Sequence, residues 1–198
     1  MHYEPKTITF DSFPNDSHFA QIEGKLFMSD NIFDHHKPRV QQMSAPVRLG
    51  MAVVVTCVSG EMDIEINLKL YKLKANSVAT LVIGSLMQIK SVSDDFTSFM
   101  IAVAPNFQEY SRDIRAGLTI TRLNRYLPIS PMPEENMRDA INIYTMLRDK
   151  LLSPTYGYKE QVALRFLDIL RYNGFQAIDQ FDKQNPRSYT YSRRSNNY

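Results

Sequence analysis

The sequence predicts a mainly β fold with an α-helical portion: a barrel of short strands, then two long helices packed antiparallel. Three observations carry this expectation. Apolar runs punctuated by turn residues fill positions 49–104, the apolar period switches from two to helical spacing after Pro105, and two helical patterns of about twenty residues flank Ser153-Pro154-Thr155-Tyr156-Gly157. The chain therefore divides into 1–105, a β-barrel with an N-terminal arm; 106–181, a helical region; and 182–198, a basic linker or tail.

In chain order, residues 1–48 are proline-punctuated and polar, with short apolar pieces at Thr7–Phe10 and Lys25–Ser29 that suit strands. His35 and His36 are adjacent and point in different directions, so a solvated loop is favoured there over a metal site. Met51–Val58 is β-branched and apolar on both faces, as a buried strand requires. After the turn Ser59-Gly60-Glu61, Met62, Ile64, Ile66, Leu68 and Leu70 alternate with Glu61, Asp63, Glu65, Asn67 and Lys69, which predicts one long half-buried strand. Ala75-Asn76-Ser77, Gly84-Ser85 and Ser93-Asp94-Asp95 then separate the runs Val78–Ile83, Met87–Val92 and Phe96–Ala104. Phe107, Tyr110, Ile114 and Leu118 follow helical spacing behind Asn106. Ser130-Pro131-Met132-Pro133-Glu134-Glu135 reads as a helix start, followed by a stripe of Met137, Ile141, Tyr144, Leu147 and Leu151. A last helix spans about Tyr158 to Ile178, with Val162, Phe166, Leu167, Ile169 and Leu170 on a wide apolar face.

Composition narrows the function classes. At 198 residues and 43% hydrophobic, the chain is long enough for one packed domain with a helical appendage. No apolar run reaches the eighteen or so residues of a membrane span, and no signal peptide opens the chain, so no membrane partner is expected. The single cysteine, Cys57, sits in an apolar strand, reads as a small core residue, and fits a cytoplasmic location. Of the net charge of +2, residues 182–198 carry +3 (Lys183, Arg187, Arg193 and Arg194 against Asp182), leaving −1 on the body. A near-neutral body lacks the electrostatic footprint of a nucleic-acid binder. The helix pair is too long and too apolar for a helix-turn-helix reader, although Arg165 and Arg171 lie on its second helix.

Several short motifs carry a resemblance: Arg48-Leu49-Gly50, Cys57-Val58-Ser59-Gly60-Glu61, Ile66-Asn67-Leu68, Tyr71-Lys72-Leu73, Ala75-Asn76-Ser77, Gly84-Ser85-Leu86-Met87-Gln88 and Ser93-Asp94-Asp95-Phe96. Over about residues 20–198 the chain resembles the N-terminal half of AraC-type transcriptional regulators. The resemblance implies a cupin-like (double-stranded β-helix) barrel that binds a small effector and an αα-hairpin that forms a homodimer. It also implies DNA contact only through a C-terminal domain beyond Tyr198. Cupin enzymes hold a metal with several histidines and a glutamate, whereas 49–104 contains no histidine and only two glutamates, Glu61 and Glu65, both on the polar side of the alternation. No metal, cofactor or catalytic residue is expected. His18, His35 and His36 accompany no Gly-x-Ser-x-Gly elbow, and the seven glycines are scattered singly, without a phosphate-cradling loop.

The remaining candidate site is the apolar barrel interior. Met51, Val53, Val55, Met87, Ile89 and Met100 are expected to line it, with Ser98 and Arg48 as polar groups near a mouth. The plainer alternative is that these side chains simply fill a core. Dimerisation is expected from Tyr144, Leu147, Leu151, Phe166, Leu167 and Leu170, on the faces left after packing on the barrel. The leading function is a ligand-sensing, non-enzymatic dimerisation domain of a regulator; a metal-independent isomerase or lyase and a stand-alone scaffold are the alternatives.

Overall fold

A computed structural model describes residues 4–13, 19–30, 45–108 and 127–184 of the protein. Eleven strands occur among them: β1 (Lys6–Ile8), β2 (Gln21–Ile22), β3 (Leu26–Asp30), β4 (Val47–Leu49), β5 (Ala52–Ser59), β6 (Glu61–Ile66), β7 (Lys69–Lys74), β8 (Ser77–Leu81), β9 (Leu86–Val92), β10 (Thr97–Val103) and β11 (Ile129–Pro131). A short α1 (Pro105–Gln108) and two long helices, α2 (Glu134–Leu152) and α3 (Lys159–Gln184), complete the described elements, with one 3-10 turn at Phe10–Ser12.

The strands form two sheets, ordered β1-β4-β9-β6-β7 and β11-β8-β5-β10-β3-β2. All neighbours are antiparallel except β1, which runs parallel to β4. Among the described residues no ladder joins the two sheets, so they do not close into the expected barrel. The cause is local. From β4 onward the chain changes sheet at nearly every connection, and turn residues at Gly60, Ala75-Asn76, Gly84-Ser85 and Ser93–Phe96 interrupt the ladders there.

Gly60 makes the tightest of these crossings. Its φ of +69° is left-handed, and a Cβ there would lie 2.6 Å from Phe96 Cα and 2.7 Å from Phe96 N, so only glycine fits. The neighbouring crossings are stitched onto it. Ser93 N donates to Glu61 O (2.9 Å), Glu61 N donates to Ser93 Oγ (2.9 Å), and Ser59 Oγ donates to Asp95 O (2.7 Å).

One expected element is corrected. The alternation from Met62 to Leu70 is two strands, not one: Ile66 pairs with Lys69 across a two-residue turn in which Asn67 and Leu68 take φ of +49° and +68°. Two successive positive φ values define the type I′ turn, whose twist matches a hairpin. Leu68 and Leu70 are accordingly 78% and 62% exposed instead of facing the core. Ser130-Pro131, in the stretch read as leading into the helix, forms β11 against β8. At a sheet edge a proline's missing N–H sacrifices no ladder bond. The helix begins at Glu134, with Glu134 and Glu135 in its first turn and Lys150 in its last, as the helix dipole favours. Lys183 and its neighbours through Gln184 belong to α3, so the expected linker from 182 begins inside a helix. The predicted stripe Tyr110, Ile114 and Leu118, the tail from 185, and His18, His35 and His36 lie outside the described residues.

Two hydrophobic clusters sit on either side of the second sheet. Between the sheets lie Val53, Val55 and Cys57 of β5, Met62, Ile64 and Ile66 of β6, Met87 and Ile89 of β9, and Met100 and Ala102 of β10. On the outer face, Leu26 and Met28 of β3 and Phe99, Ile101 and Val103 of β10 pack against Ala140, Tyr144, Leu147 and Leu151 of α2 and Ala163 of α3. The outer face of the first sheet is charged: Lys72 bridges Glu61 (2.7 Å) and Asp63 (2.9 Å), and Lys90 pairs with Glu65 (3.2 Å). The Lys72 ammonium, followed by the Ser91 hydroxyl, holds the Asp63 carboxyl below the usual carboxylate range. Both glutamates thus lie on the outward side, as the alternation predicts.

Candidate functional site

Strand periodicity decides which of the predicted lining residues meet. Met51, Val53, Val55, Met87, Ile89, Ser98 and Met100 are all buried, and the apolar members share one cluster between the sheets. Ser98 lies opposite Cys57 in the β5–β10 ladder, on the same face as Met100. Arg48 is the exception. Val47 and Leu49 take the inward positions of β4, so Arg48 between them must face outward; it is exposed and its Nη1 donates to Gly84 O (3.0 Å). Arg48, expected near a mouth, thus sits on the outward side of β4.

The structure adds groups to this interior that sequence reasoning did not single out. Phe27 of β3 points inward and stacks on Phe13 (centroids 4.3 Å, planes 11° apart) and packs against Phe19 (5.2 Å), while Phe10 meets Phe13 edge-on (6.0 Å). The arm before β3 thus supplies a half-buried aromatic wall against the interior. Its signal in the sequence is density: five of the eleven phenylalanines fall within the first 33 residues. Ser29, opposite Met100, is a second buried hydroxyl-bearing residue on this wall. The interior is thus a buried apolar and aromatic cluster with two hydroxyl-bearing residues, Ser29 and Ser98, on its wall.

Cys57 is a poor nucleophile here. Burial, and then the negative charge of Asp95, push its thiol up to about 11, and its Sγ lies 3.2 Å from Ser59 O. In the folded state the thiol stays neutral past the point where an unfolded cysteine ionises, near 9. Its stabilising contribution is therefore complete below about pH 9 and is lost as pH rises toward 11. We expect Cys57 to react with a disulfide reagent at pH 8 roughly 100-fold or more slower in the native protein than in urea. The fall in melting temperature between pH 9 and 11 should be shallower in Cys57→Ala. A native rate equal to the rate in urea would contradict this. Among the described residues no three His, Cys, Asp or Glu side chains converge as a metal site would need.

Tyr144, Leu147 and Leu151 are buried against the sheet within the same chain, which leaves them no surface for a partner. Burial first, and then the adjacent Asp30 carboxylate, push the Tyr144 phenol well above its ordinary value. Arg148 binds that same Asp30, tying α2 to the end of β3, and Lys25 binds Glu160, tying the β2–β3 turn to α3. Phe166, Leu167 and Leu170 are only half-buried against this cluster. A separate open cleft of about 430 Å³ lies between β2 and the start of α3, bordered by Gln21, Ile22, Tyr156, Lys159 and Glu160.

No protein-family model matches the chain, and no curated protein matches it. Solved structures similar to it include a cupin domain. The cupin domain of Schizosaccharomyces pombe Cnp3 aligns at 9% identity over 48% of this chain and 69% of that one, with a TM-score of 0.33. Apo ToxT K231A of Vibrio cholerae aligns at 12% identity over 81% of this chain and 56% of that one, with a TM-score of 0.43. Unsaturated fatty acid bound ToxT aligns at 14% identity over 81% and 54%, with a TM-score of 0.39. The chain thus spans little more than half the length of the ToxT chains, and at these scores the likenesses carry no argument about its activity.

Proposed function

We propose that the chain is a cupin-type ligand-sensing and dimerisation domain of an AraC-type regulator, with α2 and α3 as its αα-hairpin. One observation carries the reading: the second sheet is a single layer whose inner face lines the apolar interior and whose outer face packs on both helices. β3 makes the connection compact. Phe27 faces the interior, Leu26 and Met28 face the helices, and Asp30 is held by Arg148 of α2.

An effector with an apolar body and one polar group would settle among Met51, Val53, Met87, Ile89 and Met100, with Ser29 and Ser98 as the nearby hydroxyl side chains. By preferring one packing of Phe27 and its aromatic neighbours, it would shift the population of helix arrangements. The surface offered to a second copy is the half-buried row Phe166, Leu167 and Leu170 with the exposed Ile169 and Tyr172. DNA would be contacted by a further domain.

The test has two arms. Sedimentation at micromolar concentration is expected to give a dimer that Leu167→Glu with Leu170→Glu converts to monomer. Among apolar alcohols, carboxylic acids and aromatic compounds, at least one class should raise the melting temperature in a manner that Phe27→Ala abolishes. A wild-type monomer, or a dimer indifferent to the double substitution, overturns the dimerisation half; a thermal response indifferent to Phe27 overturns the sensing half.

A further inference from the structure

The end of the molecule that carries the β6–β7 turn exposes apolar surface that the interior site does not use. Four large hydrophobic residues between β4 and β10 are exposed, and three of them are Leu68, Leu70 and Ile83, at 78%, 62% and 42%. Asn67 N donates to Leu86 O (2.8 Å) and Leu86 N donates to Asn67 Oδ1 (3.0 Å), which binds the hairpin tip to the segment just after Ile83.

Leu68 is unfavourable here on two counts. Its φ of +68° is a left-handed conformation that a leucine adopts against its own Cβ, at a turn position where glycine is preferred. Its side chain is also nearly fully in water. Folding gains nothing from this residue that glycine would not supply better.

The charges around the tip point the same way. Lys72 and Lys90, farther along the sheet, are neutralised by Glu61, Asp63 and Glu65. Arg48 and Lys69, which flank the tip, pair with no carboxylate among the described residues. Arg48 reaches Gly84 O, beside Ile83, and the Lys69 ammonium lies over the Tyr71 ring at 5.3 Å. Aliphatic side chains on an exposed turn, beside two cations without a carboxylate partner and with the Glu65 carboxylate opposite Leu70 paired to Lys90, match an anionic bilayer: the side chains enter the headgroup layer while the cations remain at the phosphates.

We propose that the Leu68–Leu70 tip, with Ile83, Arg48 and Lys69, docks the protein on anionic lipid bilayers. Such docking is peripheral. It requires no membrane-crossing segment, and no described helix is long and apolar enough to be one. It stands whether or not the interior between the sheets takes an effector.

Cosedimentation of the full chain with phosphatidylglycerol/phosphatidylcholine vesicles, against pure phosphatidylcholine vesicles, tests it. The protein is expected to partition preferentially onto the anionic vesicles and to be released as salt is raised. Arg48→Gln with Lys69→Gln should weaken partitioning by about 25-fold, at about five-fold per cation near the surface. Leu68→Gly with Leu70→Ser should weaken it by roughly ten-fold or more, and circular dichroism should show a chain at least as heat-stable as the wild type, because glycine relieves the turn. Absence of wild-type binding to anionic vesicles, equal binding to both vesicle types, or undiminished binding by either folded variant would overturn the proposal. In the first case the tip is left to a protein partner.

Discussion

Gly60→Ala is expected to destabilise the protein by roughly 3 kcal/mol or more, enough to leave much of a marginally stable domain unfolded. Two effects combine. A left-handed alanine costs about 1 kcal/mol before any contact is considered, and its Cβ would press on Phe96 backbone atoms at 2.6 and 2.7 Å. A flexible side chain can swing away from such a contact; the Phe96 backbone cannot, because its N–H is bonded to Ser93 O (3.1 Å) and its ring is buried. The strain would spread to the Ser59 and Ser93 hydrogen bonds that join the crossings. Urea denaturation monitored by circular dichroism measures the effect, and a loss below about 1 kcal/mol would show that the corner relaxes.

Leu147→Ala should cost about 3 kcal/mol by a different route, since the side chain is fully buried between α2 and the outer face of the second sheet. The diagnostic part is its concentration dependence. A residue inside one chain's core loses the same stability over about two decades of protein concentration, whereas an interface residue loses most where a dimer forms. The sequence places Leu147 at an interface, on the helix face left after packing on the barrel; in the structure the buried stripe Tyr144, Leu147 and Leu151 instead fastens α2 to its own sheet. A penalty that vanishes on dilution would restore the interface reading.

The contrast shows what periodicity can and cannot tell. The α2 boundaries, the buried run through β5 and the outward Glu61 and Glu65 were all legible, because each is set by spacing within one segment. Which of two partners covers an apolar stripe is not a property of the segment, so the sheet and a second subunit were indistinguishable. Leu68 deceived for a related reason: it keeps the period of two across a turn whose backbone, not its hydropathy, breaks the strand. Asn67, tolerant of left-handed φ, was the available warning. The interior was legible at its aliphatic residues, since inward positions of predicted strands follow from parity. Its aromatic wall was not, because Phe10, Phe13 and Phe19 lie in a proline-rich arm where no period exists to read.

The pairing of β10 with both β5 and β3 carries a kinetic consequence. Phe99 lies opposite Asp30 and Thr56, so the central strand of the second sheet finds its neighbours only after closing loops of very different length. Loop-closure entropy must be met before those contacts contribute, which places such a topology among slow folders. During synthesis, β3 has no β10 to pair with until Val103 has emerged, and its outer face has no cover until α2 follows. Through that interval Leu26, Phe27 and Met28 form an apolar strand without a neighbour on its β10 side, the state in which a nascent chain is most open to pairing with the wrong strand.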